Sequence, residues 1–125
     1  MWPLRRRKRL GPAGEDLAAK ALRRAGYTIL DRNVRLGKYE IDIIARDGDT
    51  TAFVEVKTRR DNSVVPPEDC VGGVKRQHIR KAARLYISRH DEPEMYYRFD
   101  VVSVVTPESG KPAVTIHRDA FRSDR

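Results

Sequence analysis

The chain has 125 residues, of which 35% are charged and 39% hydrophobic, and its formal net charge is +8. This length can bury one hydrophobic core rather than two, and no apolar run approaches a membrane span, so no membrane partner is expected. A single cysteine, Cys70, excludes an internal disulfide and a cysteine-rich zinc site and fits a reducing cytoplasm. The positive charge favours a polyanionic partner, with nucleic acid as the first candidate.

Residues 1–13 are predicted to form a flexible basic arm. Five of the positive charges lie in Arg5–Arg9, and without them the net charge is +3. Such a run can contact phosphate backbones non-specifically or can be a solvated tail, and both interpretations stay open. The remaining chain divides into a single domain over residues 14–118 and a C-terminal tail over residues 119–125.

A helix is predicted from Gly14 to about Gly26, because apolar residues recur at helical spacing and a glycine follows them. Glu15 lies near the start of this helix. Its carboxylate can favour the positive end of the helix dipole, or it can reach toward acidic residues of the hairpin that follows. Both roles stay open.

The centre of the chain is predicted to be an antiparallel β-hairpin, preceded by a strand over Tyr27–Arg35. The hairpin strands, Ile41–Ala45 and Thr50–Val56, are rich in β-branched residues. They flank Asp47-Gly48-Asp49, a sequence typical of a tight turn.

The register of this hairpin decides which carboxylates meet. A two-residue loop at Gly48-Asp49 places Asp42 opposite Glu55, whereas a loop one residue earlier places Glu40 opposite Glu55. In either register Asp42, Glu55 and Lys57 share one face of the sheet. The other face is predicted to supply a core from apolar residues, namely Ile41, Ile43, Val54 and Val56.

Opposed side chains on paired strands lie roughly 5 Å apart at Cβ. Two carboxylates at that separation repel each other unless a proton or a cation lies between them. A hard divalent cation with oxygen ligands would satisfy Asp42 and Glu55 together. The alternative is a solvated face with a Glu–Lys pair, and the spacing does not decide between the two.

A second helix is predicted from Val74 to about Arg89, after a loop over Asn62–Gly73. Its apolar stripe is Ile79, Ala82, Ala83 and Tyr86, and its outer face is expected to carry Arg76, Arg80, Lys81 and Arg84. Lys75 and Gln77 lie at the helix start, where side chains and free N–H groups can receive a phosphate. The candidate nucleic-acid contacts are therefore basic residues before and along this helix: Arg59, Arg60, Lys75, Arg76 and Arg80. Each arginine can equally belong to a solvated face.

Two more strands are predicted, over Met95–Val105 and Ala113–His117. Asp100 lies within the first of them and is expected to be a satisfied structural carboxylate. Phe121 is expected to hold the C-terminus against the domain. This order of elements predicts an α/β fold with a mixed β-sheet flanked by helices.

Asp42, followed after twelve residues by Glu55-Val56-Lys57, resembles the PD-(D/E)xK nuclease signature, with Ile41-Asp42 in place of Pro-Asp. A fuller pattern makes the resemblance more specific: Gly14-Glu15, Gly26-Tyr27, Arg32-Asn33 with Arg35, Glu40-Ile41-Asp42, Phe53 to Arg59, Lys75 with Gln77, and Arg98 to Val101. Together these residues resemble the YraN-like family of uncharacterised bacterial proteins, similar in core to archaeal Holliday junction resolvases. The resemblance covers about Gly14 to Val105. Tyr39 departs from the glycine usual before Glu-Ile-Asp in that family.

The resemblance implies a restriction-endonuclease-like fold and metal-dependent hydrolysis of phosphodiester bonds. Asp42 and Glu55 would hold Mg²⁺ or Mn²⁺, with the Val56 carbonyl as an additional ligand. Lys57 would orient or help to deprotonate the attacking water. Glu15 matches the acidic residue on the helix of resolvase-like members, and Gln77 matches the polar residue on the later helix.

The predicted function is thus a metal-dependent endonuclease acting on DNA in preference to RNA, with branched or junction DNA as a candidate substrate. The alternative is a nucleic-acid-binding module that has this fold and does not cut. A protein-interaction domain with an acidic partner is a weaker third interpretation. A homodimer would supply the two sites needed to cut two strands.

Overall fold

A computed structural model describes residues 11–60, 72–90, 92 and 94–122. Two helices and five strands follow in the order α1 (Gly11–Arg24), β1 (Thr28–Leu36), β2 (Tyr39–Asp47), β3 (Thr50–Arg60), α2 (Gly73–Arg89), β4 (Tyr96–Thr106) and β5 (Ala113–Phe121). The strands form one sheet in sequence order, in which β3 and β4 are parallel and the other neighbours antiparallel. The fold is therefore α/β with a mixed sheet, and α2 lies in the crossover that parallel strands require.

Each face of the sheet packs against one helix. Alternating side chains divide the core, so that Phe53 faces α2 while Val54 faces α1. The cluster against α2 also contains Ile79 and Phe99, and the cluster against α1 contains Leu22. This helix–sheet–helix layering confirms the predicted architecture. No helix in the described parts of the chain is long and apolar enough to cross a membrane.

Several elements extend beyond their predicted ends. Helix α1 begins at Gly11 rather than Gly14, so the last residues of the predicted arm are helical, and a proline in a first helical turn breaks no backbone hydrogen bond. Strand β5 runs to Phe121, which is buried and stacks on Phe99 at a centroid distance of 4.9 Å. The predicted tail over residues 119–125 therefore begins too early. The rest of the arm, most of the predicted 62–73 loop and residues 123–125 lie outside the described residues.

The β2–β3 hairpin adopts the first of the two predicted registers. Ile43 pairs with Val54 and Asp47 pairs with Thr50, which leaves Gly48-Asp49 as the two-residue loop. Gly48 has φ +66°, the left-handed conformation that a primed hairpin turn requires at this position. The sequence prediction that Asp42 and Glu55 approach each other rests on this register.

The ladder around β2 is interrupted at Asp42. Strand β1 pairs with β2 on both sides of Asn33, but Asn33 itself has φ +52° and no paired residue on β2. The pairing of β2 with β3 ends at Ile43. Ile41 consequently packs in the cluster against α2, while Ile43 packs in the cluster against α1. The prediction that both isoleucines share a face is wrong, because strict alternation holds only along an unbroken ladder.

Helix α1 packs closely against the sheet at Gly14, since a Cβ at this position would overlap Oγ1 of Thr58 on β3. We expect Gly14→Ala to destabilise the protein by about 1–3 kcal/mol through overpacking, although alanine normally stabilises a helix interior by roughly 0.5–1 kcal/mol relative to glycine. Urea unfolding measures the change. Thr58→Ala in the same chain removes the overlapping oxygen and should recover most of the loss, whereas a single variant more stable than the parent would contradict this packing.

Candidate active site

Asp42 lies where β2 separates from β3, and its carboxylate replaces a backbone carbonyl as the acceptor for an N–H of β3. Oδ2 accepts from the backbone N–H of Val56 at 2.8 Å. A buried backbone N–H without a partner is costly, so this bond stabilises the strand beyond the last ladder pair. It also holds the Asp42 carboxylate against the strand that carries Glu55.

Glu55 is buried, with 7% of its surface exposed, and one of its oxygens has no protein partner. Oε2 lies 3.8 Å from Nζ of Lys75, while Oε1 has no hydrogen bond among the described residues. An unpaired buried carboxylate oxygen carries a substantial desolvation cost. Such an atom calls for a proton or a cation.

The two carboxylates strongly perturb each other. Burial, followed by the negative charge of Asp42, raises the pKa of Glu55 to about 8, against the opposing effects of Lys75 and Lys57. Burial also raises the pKa of Asp42, although the Val56 N–H and the Lys75 ammonium favour its charged form. Without a cation, the pair therefore retains a proton near neutral pH, as expected of close carboxylates in a buried site.

The donor set fits a hard divalent cation of the magnesium type. No three His, Cys, Asp or Glu side chains converge on one point in the described ranges, so the protein would supply two carboxylates, those of Asp42 and Glu55. Mg²⁺ usually binds through one or two carboxylates and keeps several waters. The unpaired Oε1 is an oxygen ready to bind it. The ligand role of the Val56 carbonyl stays a prediction.

Two lysines accompany the carboxylates from different elements. Lys57 follows Glu55 on β3 and is half-buried, and its charge favours the ionised form of Glu55. Lys75 lies in the first turn of α2. The sequence pattern assigned Lys75 to nucleic-acid contact only. The structure places its ammonium beside Glu55. This proximity depends on how the β3–α2 connection positions the helix, and no local sequence pattern predicts it.

Glu15 reaches the same region from α1. Its Oε1 accepts a hydrogen bond from Nδ2 of Asn33 at 3.0 Å, and burial and the charge of Asp42 are the largest causes that raise its pKa. The helix dipole acts most strongly on charges in the first turn. Because α1 begins at Gly11, Glu15 lies beyond that turn. Its Oε1 also lies 3.6 Å from Nη2 of Arg32, and a role for Glu15 at the acidic pair stays a prediction.

Gln77 and Arg80 are hydrogen-bonded to each other on α2, and the catalytic role of Gln77 stays a prediction. Oε1 of Gln77 accepts from Nη1 of Arg80 at 3.3 Å, and Nε of Arg80 donates to the carbonyl of Arg122 at 2.9 Å. Arg80 is only 7% exposed and lies over the ring of Phe121. The prediction that Arg80 lines the outer face is wrong, because the C-terminal strand covers this part of the helix.

The remaining candidate nucleic-acid contacts differ in exposure. Arg60 is exposed at the end of β3, and Arg59 is half-buried beside it. Arg76 is half-buried on α2, with its guanidinium over the ring of Phe121 at 5.3 Å. Their contacts with nucleic acid stay predictions.

A second polar cluster surrounds Asp100, which is fully buried, as expected for a structural carboxylate. It accepts hydrogen bonds from Arg98, from the hydroxyl of Tyr27 at 2.8 Å and from the N–H of Asp119 at 2.9 Å. Arg98 also binds Asp47 next to the β2–β3 turn. This cluster joins three strands and the segment between α1 and β1. The sequence pattern indicated Asp100 but not its partners, which are distant in the chain.

The fold and the site define an α/β protein of the restriction-endonuclease-like type, with a buried carboxylate pair at the point where two central strands separate. Residues 14–104 match the model of the uncharacterised protein family UPF0102, and the chain belongs to this family. This result confirms the family resemblance predicted from the motifs.

Relatives in this family cover most of the chain. A UPF0102 protein of Nocardia farcinica is 49% identical over 84% of this chain and 83% of its own length. One of Streptomyces griseus is 46% identical over 86% and 91%, and one of Symbiobacterium thermophilum is 40% identical over 93% and 98%.

Proposed function

We propose that this protein is a divalent-metal-dependent nuclease that hydrolyses phosphodiester bonds of DNA, with branched or junction DNA as the candidate substrate. The observation that supports this most directly is the buried, unpartnered Oε1 of Glu55 beside Asp42. A proton shared with Asp42 relieves this oxygen near neutral pH. A divalent cation would relieve it with both carboxylates ionised.

Each residue has a distinct role in this proposal. Asp42 and Glu55 hold Mg²⁺ or Mn²⁺, which, when bound, neutralises phosphate charge and lowers the pKa of water. Lys57 orients the attacking water and offsets the charge of the phosphate, since its ammonium is a compact donor on the same strand as Glu55. Lys75 reaches the site from α2 and holds a phosphate oxygen. Glu15 orients water from the side of Asp42.

The form of the substrate and the assembly follow from the same proposal. The net charge of +8 favours a polyanion, and the resemblance to junction resolvases favours branched DNA. A homodimer would place two such sites on the two strands of a junction. The proposed location is the cytoplasm, where a single cysteine stays reduced.

The second candidate is a nucleic-acid-binding module that does not cut. It is favoured by the hydrogen bond from Val56 to Asp42, because this bond gives Asp42 a structural role that would persist without catalysis. Binding that is equal in EDTA and in Mg²⁺, with no cleavage, would support this candidate.

The nuclease is tested by incubating labelled single-stranded, duplex, flapped and four-way-junction DNA with Mg²⁺ or Mn²⁺. Asp42→Asn keeps an oxygen for the Val56 N–H and removes the charge, and Glu55→Gln is nearly isosteric. We expect both to lose cleavage, while Glu108→Gln, on an exposed turn, retains it. Equal cutting by all variants would indicate contamination and contradict the assignment.

Metal binding gives an independent measurement. We expect Mn²⁺ to raise the melting temperature of the parent protein, because a ligand at about one hundred times its Kd stabilises the folded state by roughly 2.7 kcal/mol. Glu55→Gln should abolish this shift and Glu108→Gln should preserve it. A shift of the same size in Glu55→Gln would place the metal elsewhere.

A further inference from the structure

The ring of Tyr39 is surrounded by positively charged or protonatable side chains. The Nζ atoms of Lys38 and Lys81 each lie 5.8 Å from the ring centroid. The imidazole of His78 stacks on the ring in a tilted arrangement at 4.8 Å and 39°. Lys38, His78 and Lys81 are exposed and Tyr39 is half-buried. We call these four residues the Tyr39 cluster.

The backbone holds this cluster in place before any partner binds. Leu36 is buried, and the turn between β1 and β2 lies against α2, since a Cβ on Gly37 would be 3.7 Å from Leu85. Tyr39 itself packs against the hydrophobic cluster under α2. Ordering an exposed lysine costs conformational entropy, and the ring contacts offset part of that cost.

The Tyr39 cluster is continuous with the carboxylate site along α2. Lys75, His78 and Lys81 follow one another at intervals of three residues, so consecutive members are neighbours on the helix surface. At a rise of 1.5 Å per residue, the six steps from Lys75 to Lys81 span roughly 9 Å. One strand of duplex DNA carries a phosphate about every 3.4 Å of helix axis, so the row spans two to three phosphates.

Lys75 is paired with Glu55 at 3.8 Å, whereas the two lysines of the Tyr39 cluster have no ion-pair partner among the described residues. The ion pairs formed among residues 11–60, 72–90, 92 and 94–122 include neither Lys38 nor Lys81. Like charges around one ring repel each other, and an anion bound between them removes the repulsion. The spacing of several cations in a row suits a polyanion better than a single carboxylate.

We propose that the Tyr39 cluster binds the phosphate backbone of the nucleic-acid strand on one side of the phosphate held by Lys75 and the carboxylate pair. This inference rests on the proposed nuclease function and adds the path of the strand. It differs from the sequence-based assignment, because Arg80 is buried under β5 and the strand instead follows Lys81 and Lys38 toward the β1–β2 turn.

The first test measures binding of labelled junction and duplex DNA in EDTA over a range of salt concentrations. Lys38→Gln with Lys81→Gln should weaken binding at least about fivefold and reduce the slope of log K against log salt by about 1.5, since each phosphate contact contributes roughly 0.7–0.9. The control is Lys20→Gln with Arg24→Gln, which removes two exposed charges on α1, against the opposite face of the sheet. It should leave the slope near that of the parent.

The second test separates charge from the aromatic support. Tyr39→Leu leaves the net charge unchanged and should weaken binding about threefold, because the lysines lose the ring that positions them. Tyr39→Phe keeps the ring and should bind like the parent. Melting temperatures of both variants identify any loss caused by partial unfolding.

The outcomes distinguish this proposal from the nuclease itself. If the parent cuts DNA in Mg²⁺ and the double lysine variant binds and cuts equally well, the strand path is wrong and the nuclease stands. If no cutting occurs but the double lysine variant loses both affinity and salt slope, the strand path stands on a binding module. An equal loss of affinity and salt slope in the α1 control would show that the effect depends only on net charge, and it would overturn the proposal.

Discussion

In EDTA, the free energy of unfolding should fall as the pH rises from about 5 to about 8, by up to roughly 1.4 kcal/mol per pH unit. Burial and Asp42 raise the pKa of Glu55 from an ordinary 4.5 to about 8 in the folded protein. Within this window the folded state holds a proton that the unfolded state has released, so unfolding becomes more favourable with rising pH. Below the window both states are protonated, and above it both are ionised.

Glu55→Gln should remove most of this slope and make the protein more stable than the parent near pH 8, while it eliminates metal-dependent cleavage. Urea unfolding at several pH values in EDTA measures the effect. Adding Mg²⁺ or Mn²⁺ to the parent at the upper end of the window should recover stability, because the cation replaces the proton between Asp42 and Glu55. Glu108→Gln serves as the control and should keep the parental slope.

The same pH dependence in Glu55→Gln as in the parent would contradict the buried carboxylate pair. A Glu55→Gln protein that is less stable than the parent throughout the window would show that the carboxylate has a structural role. Either outcome would remove the main support for the nuclease proposal, because that support is the uncompensated Oε1 of Glu55.

Asp100→Ala should destabilise the protein by about 3–5 kcal/mol, the range observed when one partner of a buried ion pair is removed. Arg98 would lose its buried carboxylate partner at 2.8 Å and keep only Asp47, and the Tyr27 hydroxyl would lose its acceptor. The N–H of Asp119, in a left-handed conformation with φ +55°, would lose the bond that holds the bulge opposite β4. Urea unfolding measures the loss.

The matched control is Asp16→Ala, which removes an exposed carboxylate paired with Arg32 at 2.7 Å. Solvent screens that pair, and we expect a loss of at most about 1 kcal/mol. Combining Arg98→Met with Asp100→Ala should cost less than the sum of the single losses, because neither charge then remains buried alone. A loss below about 1 kcal/mol in Asp100→Ala would show that the cluster is dispensable for stability.

Much of the fold was predictable because its determinants are local. The period-2 pattern on both sides of Asp47-Gly48-Asp49 indicated the hairpin, and one of its two sterically allowed registers is the one observed. The apolar stripe of α2 predicted the burial of Ile79, Ala82 and Ala83, which the structure confirms. The same period-2 alternation is the basis for expecting the two carboxylates and Lys57 on one face of the hairpin.

Local patterns were not sufficient where the ladder breaks or where distant elements meet. Ile41 leaves the face of Ile43 because the pairing is interrupted at Asn33 and Asp42. Neither interruption has a signal as strong as glycine or proline in a strand. The left-handed backbone conformation of Asn33 is seen in its φ angle and was not predictable from the residue type.

By itself, the sequence determined the element order, the family and the hairpin, since these depend on residue periodicity and turn chemistry within a few positions. Only the tertiary structure decided that Lys75 reaches Glu55 and that Arg80 is buried beneath the end of β5. It also decided that cations from the β1–β2 turn and from α2 lie over the ring of Tyr39. The physical reason is the crossover between parallel strands. It places α2 over β1–β3, and its docking position depends on packing between residues far apart in the chain.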